Sequence, residues 1–214
     1  QMRQKDPRFR IILNRIRIGN AEQEDLDALN EQNIKLKSNP KNRKEHFEEL
    51  VDLYIEKSKK HKDAVCLFGE RKDANMFNTM MMEKMGLKDK VKINAKDELN
   101  NKKAKQKIDK RKISKFDTNA TAGLEQELVL AIGAKVMLRR NIDVKKKLVN
   151  GAIGYIKGFE KEGDSVSTVI IEFNGIEEAA KIKRVRGDFE YTQGVIANRE
   201  QFPLILAYGL TIHK

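Results

Sequence analysis

Residues 64–69 read Ala-Val-Cys-Leu-Phe-Gly, a short apolar run that ends in a glycine. An unbroken apolar run of this length is typical of a parallel strand that is covered on both faces. The next apolar residues, from Ala74 to Met85, recur at helical spacing up to Gly86, which predicts a helix. Because a strand, a tight turn and a helix form the repeating unit of an α/β sheet, this stretch predicts an α/β fold.

Three helices are expected before this strand. The first begins at Asp6-Pro7, a good N-cap followed by a helix-starting proline, and ends at Gly19, a good C-terminal stop. The second spans about residues 22–33, and the third runs from Asn39-Pro40 to about Lys60. Each carries an apolar stripe that we interpret as core packing, formed by Phe9, Ile12, Leu13 and Ile16, then Leu26, Leu29 and Ile34, then Phe47, Leu50, Val51, Tyr54 and Ile55.

The last third of the sequence predicts β-structure. Strands are expected at 128–130, 134–138, 153–159, 166–173 and 176–185, with turns at 162–164 and at Asn174-Gly175, a type I′ hairpin signal. Several short strands at this spacing indicate a small barrel or sandwich. Residues 202–210 are again apolar and predict a buried parallel strand, so a small β-domain inserted in an α/β domain is expected.

The composition is strongly charged and basic. Lys and Arg number 44 and Asp and Glu 32, giving a net charge of +12, with 36% charged and 39% hydrophobic residues. One cysteine excludes an intrachain disulfide framework, and no apolar run approaches the ~20 residues of a membrane helix. The basic excess favours a polyanionic partner. Its densest part, residues 102–115, is interpreted either as a solvated linker or as a phosphate-contacting segment.

Motifs for complete enzymatic chemistry are missing from the sequence. No Gly-x-x-x-x-Gly-Lys-Ser/Thr phosphate loop occurs, and such a loop is what cradles a nucleotide in the P-loop enzymes. One cysteine and three scattered histidines do not form a zinc constellation, so no metal site is expected. By its own side chains, the chain is not expected to be a complete enzyme.

Three stretches resemble the Pif family of DNA helicases. Residues 2–19, with Arg-Gln, an acid, Phe and Leu-Asn-x-x-Arg-x-Gly, are similar to its motif IV region. Residues 130–141 and 148–154, the latter Leu-Val-Asn-Gly-x-x-Gly, resemble the opening of the family's inserted SH3-like barrel. Residues 203–214, ending Thr-Ile-His-Lys, are similar to the start of its motif V.

The resemblance implies a domain plan. Residues 1–38 correspond to the end of a first RecA-like domain, and residues 39–123 to a connecting helix and the first part of a second RecA-like domain with the basic run. Residues 124–198 correspond to the inserted SH3-like barrel and residues 199–214 to the return to the second RecA-like domain. Since the ATP loop and the later motifs have no counterpart here, the chain is expected to be a fragment.

The resemblance also implies site residues. Arg3 matches an arginine that reaches the nucleotide γ-phosphate, which makes it the catalytic candidate, and Gln4 is its companion in nucleotide binding. Thr211, His213 and Lys214 match the motif V region near the DNA backbone, where such side chains contact phosphate. Further candidate nucleic-acid contacts are Lys135, Arg139, Arg140 and Asn150, although the turn chemistry of Asn150-Gly151 favours a structural role.

The function implied is that of a fragment of an ATP-dependent DNA helicase. The parent protein would use ATP and Mg²⁺, translocate 5′-to-3′ on single-stranded DNA and act in repair, recombination or telomere maintenance. An intracellular location is expected, the nucleus first, with the mitochondrion or a bacterial cytoplasm open. Alternatives are a non-enzymatic basic nucleic-acid-binding module and a relic of a transposon-borne helicase. No membrane partner is expected.

Overall fold

The computed structural model describes residues 6–39, 41–99, 109–113, 116 and 118–211. The helices are α1 (Pro7–Arg17), α2 (Gln23–Asn30), α3 (Arg43–Ser58), α4 (Arg71–Lys84) and the one-turn α5 (Lys110–Ile113). The strands are β1 (Cys66–Phe68), β2 (Val91–Asn94), β3 (Lys96–Leu99), β4 (Glu127–Leu130), β5 (Lys135–Leu138), β6 (Ile153–Glu162), β7 (Ser165–Phe173), β8 (Ala180–Lys183), β9 (Val185–Thr192), β10 (Val195–Gln201), β11 (Leu204–Leu206) and β12 (Gly209–Thr211). The chain divides into two compact units, Gln1–Glu49 and Leu50–Lys214.

The first helix has the ends that its sequence predicts. The Asp6 carboxylate accepts hydrogen bonds from the backbone N–H groups of Arg8 and Phe9, at 2.9 and 3.3 Å. Gly19 follows the last turn with φ +73°, the left-handed conformation that favours glycine after a helix. The interpretation of the apolar stripe as core is confirmed only for Ile12, which is buried, because Leu13 and Ile16 stay exposed.

The second helix is fixed in place by a buried aspartate, not by the leucines of its apolar stripe. Leu26 and Ile34 are exposed, so the prediction that they form core is wrong. Asp25 is 2% exposed; its carboxylate accepts the Glu22 backbone N–H at 3.0 Å and lies 3.2 Å from Arg15 Nε. The start of α2 is therefore fixed by a capping box and an ion pair, which a hydrophobic pattern does not reveal.

The third helix follows its apolar stripe, with Phe47, Val51 and Tyr54 buried. Earlier in the same unit, the Glu49 carboxylate accepts the backbone N–H groups of Lys37 and Ser38, both at 2.7 Å. These hydrogen bonds lower the pKa of Glu49 to about 2. The segment before α3 is thus tied to the helix by charge-assisted bonds.

Among its described residues, the second unit contains four small sheets. β1 and β12 pair in parallel and pack against α4, while β2 pairs with β4. A three-stranded antiparallel sheet has the order β3-β10-β9, and a five-stranded antiparallel sheet has the order β11-β5-β6-β7-β8. The mixed helix and sheet architecture agrees with the α/β prediction. The strand expectation for β1 is confirmed, but Leu67 at its centre is 61% exposed, so the strand is not covered on both faces.

The two predicted hairpins differ in outcome. At residues 162–164, β6 turns into β7 through a two-residue loop, with Glu162 opposite Ser165 and Gly163 at φ +60°. At Asn174-Gly175 the type I′ prediction is wrong. Only Gly175 has a positive φ among these two residues, and the pairing of β7 with β8 resumes at Ala180, which leaves a longer connection.

The single strand predicted over residues 202–210 is wrong as well. The segment forms two strands in different sheets: β11 pairs antiparallel with β5, and β12 pairs in parallel with β1. The break at Ala207 and Tyr208 lets one continuous apolar run serve both sheets. Apolar content alone does not specify a pairing partner.

The sheet of β3, β9 and β10 falls in stretches for which no strand is predicted, apart from the first residue of β9. Its central side chain is Arg199, 2% exposed, whose guanidinium makes a bidentate pair with Asp97 at 2.7 and 2.9 Å.

Most of the basic run at 102–115 lies outside the described residues. Within it, Ile113 is buried and the Lys112 ammonium lies 4.9 Å from the centre of the Tyr191 ring. In the part of the chain that the structure describes, the helices are too short or too polar to cross a bilayer.

Candidate nucleic-acid interface

The carboxyl end of β12 is the centre of the candidate site. Its last residue, Thr211, pairs in register with Phe68 at the end of β1. Because parallel strands place their carboxyl ends at one edge, Thr211 and the start of α4 lie at the same edge of this small sheet. Ligands of open α/β sheets bind outside this edge.

A buried asparagine on α4 fixes the approach to this edge. Asn78 Oδ1 accepts the backbone N–H groups of Tyr208 and Gly209, at 3.1 and 2.8 Å. Its Nδ2 donates to the carbonyl oxygen of Gly209 at 2.9 Å. One side chain thus satisfies three backbone groups immediately before Thr211, which determines where the threonine lies.

Glycine at position 209 allows this strand to lie close to the helix. A Cβ there would be 2.9 Å from Phe68 Cε2, 3.0 Å from Phe77 Cδ1 and 3.2 Å from the Ala74 carbonyl oxygen. Such contacts are closer than side chains normally tolerate in a packed interior. The close contact between β12 and α4 therefore depends on Gly209.

A cleft of about 420 Å³ opens at this edge, within the usual size of a small-ligand pocket. Its polar side chains are the candidate contacts for a bound group, and its apolar surface comes mainly from β4, β5 and β11. Polar lining residues include Arg71, Asn75, Thr79, Arg139 and Thr211. Apolar lining residues include Leu128, Val129, Met137 and Leu206.

Arg139 reaches the cleft from the end of β5. Its backbone N–H donates to the Pro203 carbonyl oxygen at 2.9 Å, which fixes its position beside β11. Its guanidinium is partly exposed and makes a long contact of 3.4 Å with Asn119 Oδ1. The structure therefore brings together two of the predicted contacts, Arg139 and Thr211, although 71 residues separate them in sequence.

Two acids also line the cleft. The Glu127 carboxylate forms an ion pair with Lys92 at 2.8 Å, and Glu125 accepts a hydrogen bond from the Thr118 hydroxyl at 3.0 Å. Because Glu127 is compensated by a lysine, the repulsion that it would exert on a bound anion is reduced.

Arg140 and Asn150 do not lie among the residues that line this cleft. The Arg140 guanidinium donates to the carbonyl oxygens of Ala122 and Arg186 at 2.7 and 3.1 Å. Asn150 is exposed, and its backbone N–H donates to Asn141 Oδ1 at 2.8 Å. Gly151 follows at φ +93°, so this pair of residues shapes a turn.

Lys135 is buried, with 1% of its surface exposed. Its ammonium donates to the carbonyl oxygens of Lys62 and Ala64, at 3.0 and 2.6 Å, and to the Tyr54 hydroxyl at 3.3 Å. Burial lowers the pKa of Lys135. The prediction that Lys135 contacts DNA phosphate does not fit this position, because all three N–H donors are directed at protein oxygens.

Part of this chain is similar to known proteins. Residues 118–159 match the family model described as DNA helicase Pif1, 2B domain. Over 96 residues, or 45% of the chain, the sequence is 41% identical to ATP-dependent DNA helicase PIF1 of Xenopus laevis and 40% identical to that of Homo sapiens. Over this stretch, the chain is similar in sequence to the Pif1 helicases. The match covers only 15% and 14% of those two proteins.

Solved Pif1 structures share the fold of nearly the whole chain. A Pif1 helicase from Candida albicans matches 99% of the chain and 46% of its own length, with a TM-score of 0.62 and 23% identity. Bacteroides Pif1 in complex with ADP-AlF4 matches 99% of the chain and 41% of its own length, with a TM-score of 0.60 and 19% identity. A Bacteroides Pif1 bound to ssDNA gives a TM-score of 0.55 at 20% identity.

The last glycine of residues 148–154, the stretch that resembles a Pif1 motif, has a role in strand packing. A Cβ at Gly154 would overlap the carbonyl oxygen of Glu172 on β7 and come within 2.9 Å of Phe173 Cα. A residue larger than glycine would therefore separate β6 from β7 at this point. Gly154 is required for the pairing of these strands, independently of any contact with DNA.

The remaining predicted residues lie outside the part of the chain that the structure describes. These are Arg3 and Gln4, for the nucleotide, and His213 and Lys214, for nucleic acid. Among the described residues, no group of three or more His, Cys, Asp or Glu side chains is arranged to hold a metal ion.

Sequence reasoning missed the contribution of α4 to the cleft. Arg71, Asn75 and Thr79 line it, each about one helical turn from the next. Their spacing of four residues places them on one face of the helix. The signal was present in the sequence, since a polar i, i+4, i+8 row follows directly after the predicted strand and glycine.

Proposed function

We propose that this chain is the DNA-contacting part of an ATP-dependent DNA helicase that moves along single-stranded DNA. The observation that carries the proposal is the meeting of Arg139 and Thr211 in one cleft at the carboxyl edge of the β1 and β12 pair. Similarity to the PIF1 helicases supports the same function. The chain spans a small part of those relatives, so the activity belongs to the longer protein.

The cleft suits the backbone of a single strand. A guanidinium offers several N–H donors in a fork that matches phosphate oxygens, and a threonine hydroxyl donates to the same kind of oxygen. The apolar surface from β4, β5 and β11 can contact a sugar or a base face. Contacts of this kind position a strand without reading its sequence, as a translocating enzyme requires.

The finer assignments follow from the same similarity. We propose that residues 124–198 form the SH3-like insertion of a RecA-like domain. The parent protein binds ATP with Mg²⁺ through residues outside the described cleft, with Arg3 and Gln4 contributing. Movement 5′-to-3′, a role in repair, recombination or telomere maintenance, and action in the nucleus belong to this proposal.

Binding of a labelled oligo-dT strand by the 214-residue chain tests the cleft. Arg139→Gln should reduce the slope of log affinity against log salt by about 0.7, because one phosphate contact is lost, and weaken binding several-fold at low salt. Thr211→Val keeps the shape and removes the hydroxyl, so it should weaken binding without changing the slope. Arg186→Gln is the matched control, since Arg186 is exposed on β9 and does not line the cleft.

The enzymatic part of the proposal is tested on the parent protein with its phosphate loop. Its ATPase activity should rise on addition of single-stranded DNA, and replacement of the phosphate-loop lysine should abolish it. Binding of oligo-dT without any ATPase in the parent would favour the non-enzymatic nucleic-acid-binding module. Unchanged binding by both cleft variants would contradict the cleft itself.

A further inference from the structure

The connection between β5 and β6 carries three consecutive lysines that the cleft does not use. We call residues 141–150 the tri-lysine loop. Its base is closed by backbone hydrogen bonds, from Leu148 N–H to the Asp143 carbonyl at 2.8 Å and from Asp143 N–H to the Leu148 carbonyl at 3.1 Å. The loop therefore has a defined shape and projects as a short hairpin.

Two features hold the lysines in place at the end of this hairpin. The Asp143 carboxylate accepts the backbone N–H of Lys146 at 3.1 Å, and the Lys147 N–H donates to the Val144 carbonyl at 3.1 Å. Lys147 adopts φ +60°, the left-handed region that disfavours residues with a Cβ. A glycine would fit this turn with less strain, yet the position holds a lysine.

The three ammonium groups have no acidic partner among the described residues. Lys145, Lys146 and Lys147 are all exposed. By contrast, the nearby strands pair their exposed lysines with acids across the sheet, as in Lys157 with Glu172 and Lys181 with Glu160. Adjacent like charges repel one another, so an anion that contacts all three would relieve this repulsion.

The tip of the loop is also apolar. Val144 is 69% exposed, and Ile142 is 40% exposed. A valine in water beside three cations offers contact to a ligand that is anionic on one side and apolar on another. A single-stranded nucleic acid has this combination, because its phosphates and its unpaired base faces are both accessible.

The loop starts directly after Arg139 and Arg140. Residues 139–147 contain five cations and one acid, and Arg139 lines the cleft at the other end of this stretch. Because one residue advances the backbone by at most about 3.6 Å, the backbone of Lys145 lies within about 22 Å of that of Arg139.

We propose that the tri-lysine loop is a second contact for single-stranded nucleic acid, with its lysines on the phosphates and Val144 against a base or sugar. The proposal rests on the function proposed above and extends the DNA path from the cleft onto the loop. Pre-formed loop geometry favours binding, because less chain entropy is lost when the ligand arrives.

The test uses the 214-residue chain, labelled oligo-dT and a series of salt concentrations. Lys145→Gln, Lys146→Gln and Lys147→Gln together should reduce the salt slope by about 2, at about 0.7 for each phosphate contact on a single strand. The matched control replaces three other exposed lysines, Lys88, Lys90 and Lys161, and should leave the slope within about 0.7 of the starting value. The triple lysine-to-arginine variant of the loop should keep the slope.

Val144→Ser separates the apolar contact from the charges. It should weaken oligo-dT binding a few-fold with the salt slope unchanged. Circular dichroism and thermal melting of each variant establish that the fold is intact, and the arginine variant keeps the charge in the same loop.

The failures of the two proposals are distinguishable. If the glutamine variant has the same slope as the control variant while Arg139→Gln lowers it, the loop proposal is overturned and the cleft stands. If the unaltered chain binds poly-glutamate but not oligo-dT, the loop is a surface for an acidic protein and both proposals are overturned. If it binds neither, both are overturned as well.

Discussion

Two basic side chains at the two ends of β5 have opposite environments. Lys135, at the start of the strand, is buried and directs its ammonium at the Tyr54 hydroxyl and two carbonyl oxygens. Arg139, just after the strand, lines an open cleft. Both were candidate phosphate contacts in sequence. The difference shows that a cationic side chain in a basic protein can bind backbone carbonyl oxygens of its own fold as readily as it can bind an anionic partner.

The burial of Lys135 has a physical requirement. A buried ammonium is costly unless its N–H groups find acceptors, and here three protein oxygens supply them. Tyr208 continues the network, because its hydroxyl accepts the Lys135 backbone N–H at 3.1 Å. Lys135 therefore links β5 to the segments before β1 and β12. Arg139 contributes to the fold mainly through its backbone N–H, which donates to the Pro203 carbonyl oxygen.

The largest expected effect follows from removing the buried ammonium. Lys135→Met should lower the free energy of unfolding by about 3 kcal/mol, because three hydrogen bonds from a charged donor are lost. Among the described residues, the carbonyls of Lys62 and Ala64 then keep only the hydroxyls of Tyr155 and Tyr54 as side-chain donors. Arg139→Gln should change it by less than about 0.5 kcal/mol, as expected for a surface site. Urea denaturation followed by circular dichroism measures both. Equal losses in the two variants would remove the distinction between the two ends of the strand.

The second effect concerns the Asn78 side chain, which is hydrogen-bonded to Tyr208 and Gly209 just before Thr211. Asn78→Ala should cost about 2 kcal/mol, because three backbone groups that the amide satisfies become unsatisfied in the interior. Glu83→Ala, at an exposed position of α4 that does not line the cleft, is the control and should be nearly neutral. If the Asn78 amide also sets the position of Thr211, then Asn78→Ala lowers oligo-dT affinity at temperatures well below melting. Full affinity in a folded Asn78→Ala protein would restrict Asn78 to stability.

The third effect is measured at the chain's single thiol, Cys66, whose pKa the charge of Lys135 also affects. Burial raises the pKa of Cys66 to about 11 from its ordinary value of 9, while the Lys135 charge acts in the opposite direction. Since the thiolate is the reactive form, labelling at pH 8 should be about a hundredfold slower in the folded chain than after unfolding. The rate of reaction with a chromogenic disulfide measures this. A fast reaction in the native protein would mean that the region around Lys135 opens readily.

The ends of the local elements could be predicted because they depend on neighbouring residues. Asp6-Pro7 and Gly19 bound α1 by side-chain and φ requirements that act within a few residues, and Gly163 makes the β6 to β7 turn for the same reason. The same logic failed at Asn174-Gly175. There the pairing between β7 and β8, which is non-local, resumes only at Ala180, and this overrides the preference of the dipeptide.

The candidate site could be predicted only in part. Thr211 and Arg139 were found through their positions in family-like motifs, and the structure brings them into one cleft. The spacing of Arg71, Asn75 and Thr79 places them on one face of α4, but the local sequence does not say that this face borders the same edge as Thr211. The role of Lys135 was misjudged because lysine is usually exposed, and a run of basic residues does not show which of them has backbone acceptors nearby.

The sequence by itself determined the ends of α1, the first α/β unit, the basic character and the similarity to a helicase family, since these depend on residue type and short-range spacing. Only the tertiary structure decided that residues 202–210 divide between two sheets, that Asp25 and Lys135 are buried, and that Arg139 meets Thr211. Each of these depends on which distant backbone groups and side chains come into contact. Such contacts are fixed by the packing of the whole unit, and no local preference encodes them.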